Sequence, residues 1–191
     1  MADEGPQERA DAARNRIRLL EAASRLVAEH GAEHVTMEAV AAAASVGKGT
    51  VFRRFGDRVG LMLALLDHAE REHQAAFLTG PAPLGPGAPP VERLEAFGVA
   101  TLRHQVRYLD LFLAADQCSS RRFTAPPRLV RAAHITTLLR EAGVGGDVDL
   151  LTEALLGFLD TALISHLCKQ RGLPVERLEA GWRDLVGRLV R

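Results

Sequence analysis

Apolar residues recur at three- and four-residue steps along nearly the whole chain, and stretches of two-residue alternation are hard to find. That period belongs to amphipathic helices, so it predicts an all-α fold. Proline and glycine then divide the helices. The stretch from Thr79 to Pro90 reads TGPAPLGPGAPP; no helix can cross it, which makes it the clearest loop in the chain. The length, 191 residues, supports one good-sized domain or two small ones sharing a core. Residues 1–13, polar and carrying Gly5-Pro6, read as a flexible tail. Residues 14–57 read as a first small domain, and 58–191 as a second that contains the 79–90 Pro/Gly loop.

The first helix is predicted from Arg14 to His30, with Ile17, Leu20, Ser24 and Val27 as its apolar stripe and Gly31 as its stop. Thr36 offers an N-cap hydroxyl to a second helix, Met37 to Ala44, and Val35 and Val40 can staple its start. Ser45-Val46-Gly47 interrupts the pattern, a short helix runs from Lys48 to Phe55, and Asp57 can cap a long helix from Arg58 to Leu78. Beyond the loop, helices are expected at 91–109, 110–119, 126–142, 148–171 and 174–190.

Charge narrows what such a chain can bind. The 24 Lys+Arg balance 24 Asp+Glu, so the chain does not coat nucleic acid by bulk charge. Locally the balance is different. Between Ser45 and Arg58, four bases (Lys48, Arg53, Arg54, Arg58) face one acid, Asp57, a net +3 of the kind phosphate binding requires. The spacing from Thr36 to Arg58 fits a helix-turn-helix. Ala41 is small where the helices cross, and Val40, Val46 and Val51 hold the pair together. Gly49 and Thr50 let backbone amides come close to DNA. Arg14, Arg16, Arg18 and Arg25 offer a second basic face. On spacing alone, a solvated charged face is an equal alternative.

The block LVAEHGAEHVTMEAVAAAASVGKGTVFRRFGDR, from Leu26 to Arg58, resembles the N-terminal domain of the TetR family of bacterial transcriptional regulators. The features that carry the resemblance are Gly31 ending the first helix, Thr36 capping the second, Gly49-Thr50-Val51-Phe52, Phe55, and the basic Arg58 opening the fourth. The sequence departs from the family pattern at four places. Ser45 stands where the family has its turn glycine, Gly47 where it has a capping serine, Phe52 in place of a tyrosine, and Val27 in place of an aromatic.

The resemblance implies a three-helix DNA-binding domain joined by a long helix to a helical ligand-binding and dimerisation domain. By position, Lys48, Thr50 and Arg53 are candidates for base edges in the major groove. Thr36, Gly49, Phe52, Arg54 and Arg58 are candidates for positioning on the backbone. The expected partner is a near-palindromic double-stranded DNA operator, read by a homodimer whose heads lie about one turn apart, ~34 Å. Helix 148–171 is apolar nearly all round, which suggests that a partner covers one side. Leu155, Leu159, Leu163, Leu178, Trp182, Leu185 and Leu189 are therefore predicted at a dimer interface, a four-helix bundle by the resemblance.

A pocket for a hydrophobic or amphipathic small-molecule effector, of unknown identity, is predicted from Phe97, Thr101, His104, Tyr108, Phe112, His134, Thr137, Leu138, Phe158 and Thr161. Plain core packing is the competing explanation for each of them.

The sequence contains no GxSxG, HExxH or complete phosphate loop; Gly47-Lys48-Gly49-Thr50 lacks the leading glycine and strand. The chain is therefore not expected to be an enzyme, to carry a cofactor or to bind a metal. Cys118 and Cys168 read as inert thiols. No apolar run reaches the ~18 residues of a membrane span, and the charged N-terminus does not read as a secretory signal, so a cytoplasmic location is expected. The function expected is a ligand-responsive DNA-binding regulator, a repressor released from its operator by a small molecule. The competing reading is a helical protein-interaction module with a degenerate DNA-binding head.

Overall fold

The computed structural model describes residues 6–116 and 125–190, and among these there are helices and turns but no strand. The chain divides into two compact units, Met1–Ala69 and Glu70–Arg191.

The first unit holds α1 (Pro6–His30), a 3-10 turn (Ala32–His34), α2 (Met37–Ala43), α3 (Lys48–Phe55) and the beginning of α4 (Arg58–Thr79). Helix α1 starts at Pro6, so the tail reading is corrected for residues 6–13. Proline is harmless in a first turn, and the QERADAA that follows contains good helix formers and no breaker. The stop comes at Gly31, whose φ of 88° and ψ of 160° form a non-helical conformation open mainly to glycine. Leu19, Leu20, Ala22, Ala23 and Val27 of α1 are buried with Val35, Val40, Ala41, Val51, Leu61 and Leu65. Ile17, predicted for the stripe, lies outside it and is 46% exposed. The start of α2 is built as its sequence suggests. Thr36 Oγ1 accepts from Ala39 N at 3.0 Å, and Val35 and Val40 are both fully buried beside it.

The second unit continues α4 from Glu70 and adds α5 (Pro90–Arg107), α6 (Leu109–Asp116), α7 (Pro126–Glu141), α8 (Val148–Phe158), α9 (Thr161–Ser165), a widened π turn (His166–Gln170) and α10 (Val175–Leu189). Its core joins Phe77, Leu94, Phe97, Ile135, Leu138, Leu155, Leu159, Ile164, Leu178, Trp182 and Val186. Residues 80–89 run through turns, and Leu84 packs against this core.

The single helix expected over 148–171 is broken. Asp160 does not continue α8; its side chain accepts from Ala162 N and Leu163 N and caps α9. Aspartate prefers a cap to a helix interior, and Gly157 weakens the turn just before it. The break changes which leucines face inward. Leu155, Leu159, Leu178 and Trp182, predicted at a dimer interface, are at most 3% exposed and belong to the chain's own core. Of the predicted interface, Leu163 is exposed and Leu185 and Leu189 are half-buried. Leu150, 68% exposed, joins them as an uncovered apolar side chain of α8.

Among the described residues, no helix is long and apolar enough to cross a membrane. Cys118 lies outside the described residues. Cys168 is a half-buried free thiol, and burial pushes its pKa up, away from thiolate reactivity.

Candidate DNA interface and buried polar cluster

The turn between α2 and α3 sets the aim of α3. Val46 N donates to Ala41 O at 2.9 Å and Ser45 N to Ala42 O at 3.1 Å, a Schellman closure whose left-handed residue is Ser45, with φ of 55°. Two positions later Gly47 caps α3 in an extended conformation that any residue adopts, and it contributes no side-chain hydrogen bond. The glycine is thus absent where the backbone calls for it and present where a serine would cap. At the far end, α4 crosses so close that a Cβ on Gly60 would stand 2.1 Å from the Phe55 carbonyl oxygen. Asp57 Oδ1 accepts from Gly60 N at 2.8 Å and starts α4.

With Val51 buried, α3 turns Lys48, Gly49, Phe52, Arg53 and Arg54 to solvent, and Thr50 is half-buried. Phe52 is 40% exposed, and the Lys48 ammonium sits 5.3 Å from its ring centre. Arg53 Nη2 donates to Thr50 Oγ1 at 3.2 Å. Phe55 is half-buried beneath Arg16, whose guanidinium lies 5.0 Å from the ring centre. Arg58 has work of its own. Its Nε donates to Val35 O and its Nη2 to Ala32 O, both at 3.0 Å, tying α4 to the connection before α2.

One participant escaped the sequence reading. Glu38 in the first turn of α2 forms an ion pair with Lys48, and that hydrogen bond holds its carboxyl below the usual range. Glu38 lies outside the basic stretch from Ser45 to Arg58, so the local charge of that stretch does not reveal it.

In the second unit the predicted pocket residues separate into groups. His104 contacts the Tyr108 and Phe112 rings at centroid distances of 5.3 and 5.5 Å, and His134 contacts Phe97 at 5.0 Å. Thr101 is buried and bonds His73 Nε2 at 3.0 Å. Leu138 is fully buried core. Two predictions are corrected. Thr137 lies on the exposed side of α7, its hydroxyl returned to Ala133 O, because the buried positions of that helix are 131, 134, 135, 138 and 139. Phe158 turns to Trp182, 5.8 Å between ring centres, away from the histidines. Thr161 donates to Gln105 Oε1 at 2.8 Å while Gln105 Nε2 donates to Leu159 O, so this hydroxyl fastens α9 to α5.

The chemistry at the centre comes from residues the sequence reading passed over: Glu70, His73 and Phe77 of α4, and Arg131 of α7. Glu70 Oε1 accepts from His104 Nε2 at 2.7 Å and from Arg131 Nη2 at 2.5 Å, and Oε2 accepts from Arg131 Nη2 at 2.7 Å. Burial raises the Glu70 pKa, but the His104 hydrogen bond and the Arg131 charge outweigh it and leave it lowered. His73 stacks on His104 at 4.6 Å; burial, with the neighbouring positive groups, pushes it down to about 3. His134 is down to about 4, through burial and the Arg93 charge. Phe77 and Phe97 meet edge-on at 5.0 Å, and both contact His134. The spacing of 70, 73 and 77 is one helix face, and 131 and 134 another; nothing local says that the two faces meet.

Residues 19–65 match the model of the bacterial regulatory proteins of the tetR family. The whole fold recurs in solved structures. A Saccharomonospora viridis protein assigned as a transcriptional regulator, solved in complex with choline, has a TM-score of 0.68 at 21% identity, over 92% of this chain and 96% of that one. The TetR-family transcriptional regulator PfmR from Thermus thermophilus gives 0.60 at 22% identity, over 91% and 99%. A transcriptional regulator from Rhodococcus gives 0.67 at 18%, over 92% and 95%. A search of curated protein sequences returns no match.

Proposed function

We propose that this chain, which belongs to the tetR family of bacterial regulatory proteins, is a repressor that a small molecule releases from its operator. The observation that carries the reading is the uncovered basic face of α3, with Lys48, Arg53 and Arg54 exposed over a buried Val51. A helix held by its apolar side and presenting cations on the other is suited to the major groove. Lys48, Thr50 and Arg53 read base edges there. Thr36, Gly49, Phe52 and Arg54 position the head on phosphates, and Arg58 acts chiefly by holding the connection before α2 in place.

Specific reading by so short a helix calls for two heads, hence a homodimer. Leu150 and Leu163 are exposed apolar side chains able to pair with a second copy, and Leu185 and Leu189, half-buried against the core, leave part of their surface for it. The effector binds in the second unit against the rings around His104 and His134. Helix α4 runs unbroken from Leu61 and Leu65 of the first unit to Glu70, His73 and Phe77 of the second. A ligand that favours one setting of that helix shifts the population of DNA-competent dimers.

The test is binding to the DNA flanking the protein's own coding region, at two salt concentrations, with nonspecific competitor. A competitor-resistant complex whose affinity falls steeply with salt is the expected result. If neither that DNA nor a random-sequence selection gives a specific complex, the reading fails.

A further inference from the structure

Deep in the second unit, nitrogen donors remain without acceptors. Arg131 Nε and His134 Nε2 are both buried and have no hydrogen-bond partner among the described residues. The two residues are 8% and 7% exposed and lie one turn apart on the inward side of α7. A third atom of this kind, Arg93 Nε, comes from α5. A buried donor left unsatisfied is costly, more so when it is charged, and Arg93 lies near enough to His134 to act on its charge, so these atoms call for explanation.

The one buried carboxylate nearby does not supply the missing acceptor. Glu70 already receives Arg131 through both oxygens and His104 through one. Its charge is matched by Arg131, and three hydrogen bonds already fall on its two oxygens. What remains unmet around the Phe77, Phe97 and His134 rings is donor capacity under a positive bias, since the Arg93 charge acts on His134 while its carboxylate partner, Glu141 at 3.7 Å, is half in solvent.

We propose that the effector is an organic acid whose carboxylate accepts from Arg131 Nε and His134 Nε2, with its hydrocarbon part against Phe77 and Phe97. Arg131 is then held by two carboxylates, Glu70 on its terminal nitrogen and the ligand on Nε. Such a bond is charge-assisted and shielded from water, so it discriminates by charge. This rests on the effector-response reading above and gives it a ligand class. A quaternary ammonium of the same shape would bring a positive charge beside Arg131 and, having no acceptor atom, would leave the Arg131 and His134 donors unmet.

The experiment uses the full chain and two matched probe sets: octanoate with octyltrimethylammonium, and phenylacetate with phenyltrimethylammonium. Binding is measured by calorimetry, and effect by release of the operator fragment. At least one acid is expected to bind more than tenfold tighter than its cationic partner and to release DNA. His134→Phe keeps a ring against Phe77 and Phe97 and removes the nitrogen; about a tenfold loss of acid affinity is expected. The double variant Glu70→Gln, Arg131→Met removes the charge pair together, so that no lone charge stays buried, and should abolish acid binding. The proposal is overturned if neither acid binds, if a cation binds as tightly as its acid, or if both variants retain full acid affinity. Operator release by a cationic or neutral compound, with the acids silent, would overturn the acid while leaving the effector-response reading intact. Operator binding that no compound of any charge alters would remove both.

Discussion

The indole of Trp182 lies against Gly98 so closely that a Cβ on that glycine would stand 1.8 Å from Trp182 Cε2. Trp182 Nε1 donates to Leu94 O at 3.1 Å, one turn earlier on the same helix. A fully buried indole with its one donor satisfied makes this a tight joint between α5 and α10. Gly98→Ala is expected to destabilise the protein by about 3 kcal/mol, because ring and helix must move apart together. Trp182 is the chain's only tryptophan, so its fluorescence reports the change directly alongside the thermal melt. An unchanged melting temperature and emission maximum would contradict the packing described.

The misplaced glycine of the helix-turn-helix offers a stabilising pair. Ser45→Gly removes the strain of a left-handed residue, roughly 1 kcal/mol, and Gly47→Ser restores a side-chain cap worth a few tenths. The double variant should melt higher than the natural chain. A lower melting point for Ser45→Gly alone would mean that the serine makes a contact outweighing its φ of 55°.

Acid should unfold this protein through its histidines. His73 and His134 have folded pKa values of about 3 and about 4, below the ordinary 6.5. The unfolded chain therefore binds protons first as pH falls. Stability is complete above pH 6.5 and is lost progressively toward pH 4, by roughly 3 kcal/mol for each histidine. Denaturant melts across that range check it, and His134→Phe should flatten the slope by about half. A natural chain equally stable at pH 7 and pH 4.5 would refute the account.

Glu38 competes with DNA for Lys48. Glu38→Gln frees the lysine and should raise affinity for operator and unrelated DNA alike, about threefold at low salt, fading as salt screens it. Arg53→Ala should behave differently, losing discrimination of about 1–3 kcal/mol at one or two base pairs. Titrations on operator and scrambled DNA at two salt concentrations separate the two. Equal losses on both sequences for Arg53→Ala would remove it from the base-reading set.

The apolar side chains left outside give the last prediction. Leu163→Glu should produce a monomer that melts as a folded protein, because that side chain lies 37% exposed. Leu159→Ala, four residues earlier and 3% exposed, should cost about 2–5 kcal/mol. Sedimentation and melting of both variants decide it; a Leu163→Glu dimer would place the interface elsewhere.

What the sequence made legible was local. The Thr36 cap, the Val35–Val40 staple, the Gly31 stop and the Asp57 cap each rest on residues within about one turn of one another, and each stands as read. What it hid was distant. Glu70 meets partners 34 and 61 residues away, and a single sequence does not say which of many charged residues are joined across helices. The Leu-rich stretch from 148 misled for a related reason. Its composition reports burial but not against what, and the apolar run continues past Asp160, which hides the cap that starts α9.

The Glu70–His104–Arg131 trio also bears on how this protein can change over generations. Its members sit on α4, α5 and α7, and replacing any one strands a charge or a donor away from water. Drift is therefore closed to single steps at these three positions, whereas an aromatic beside them can be exchanged for another apolar side chain of similar volume at smaller cost. A lineage descended from this chain would be expected to explore new molecules by reshaping its aromatic walls while its ionic centre stays fixed.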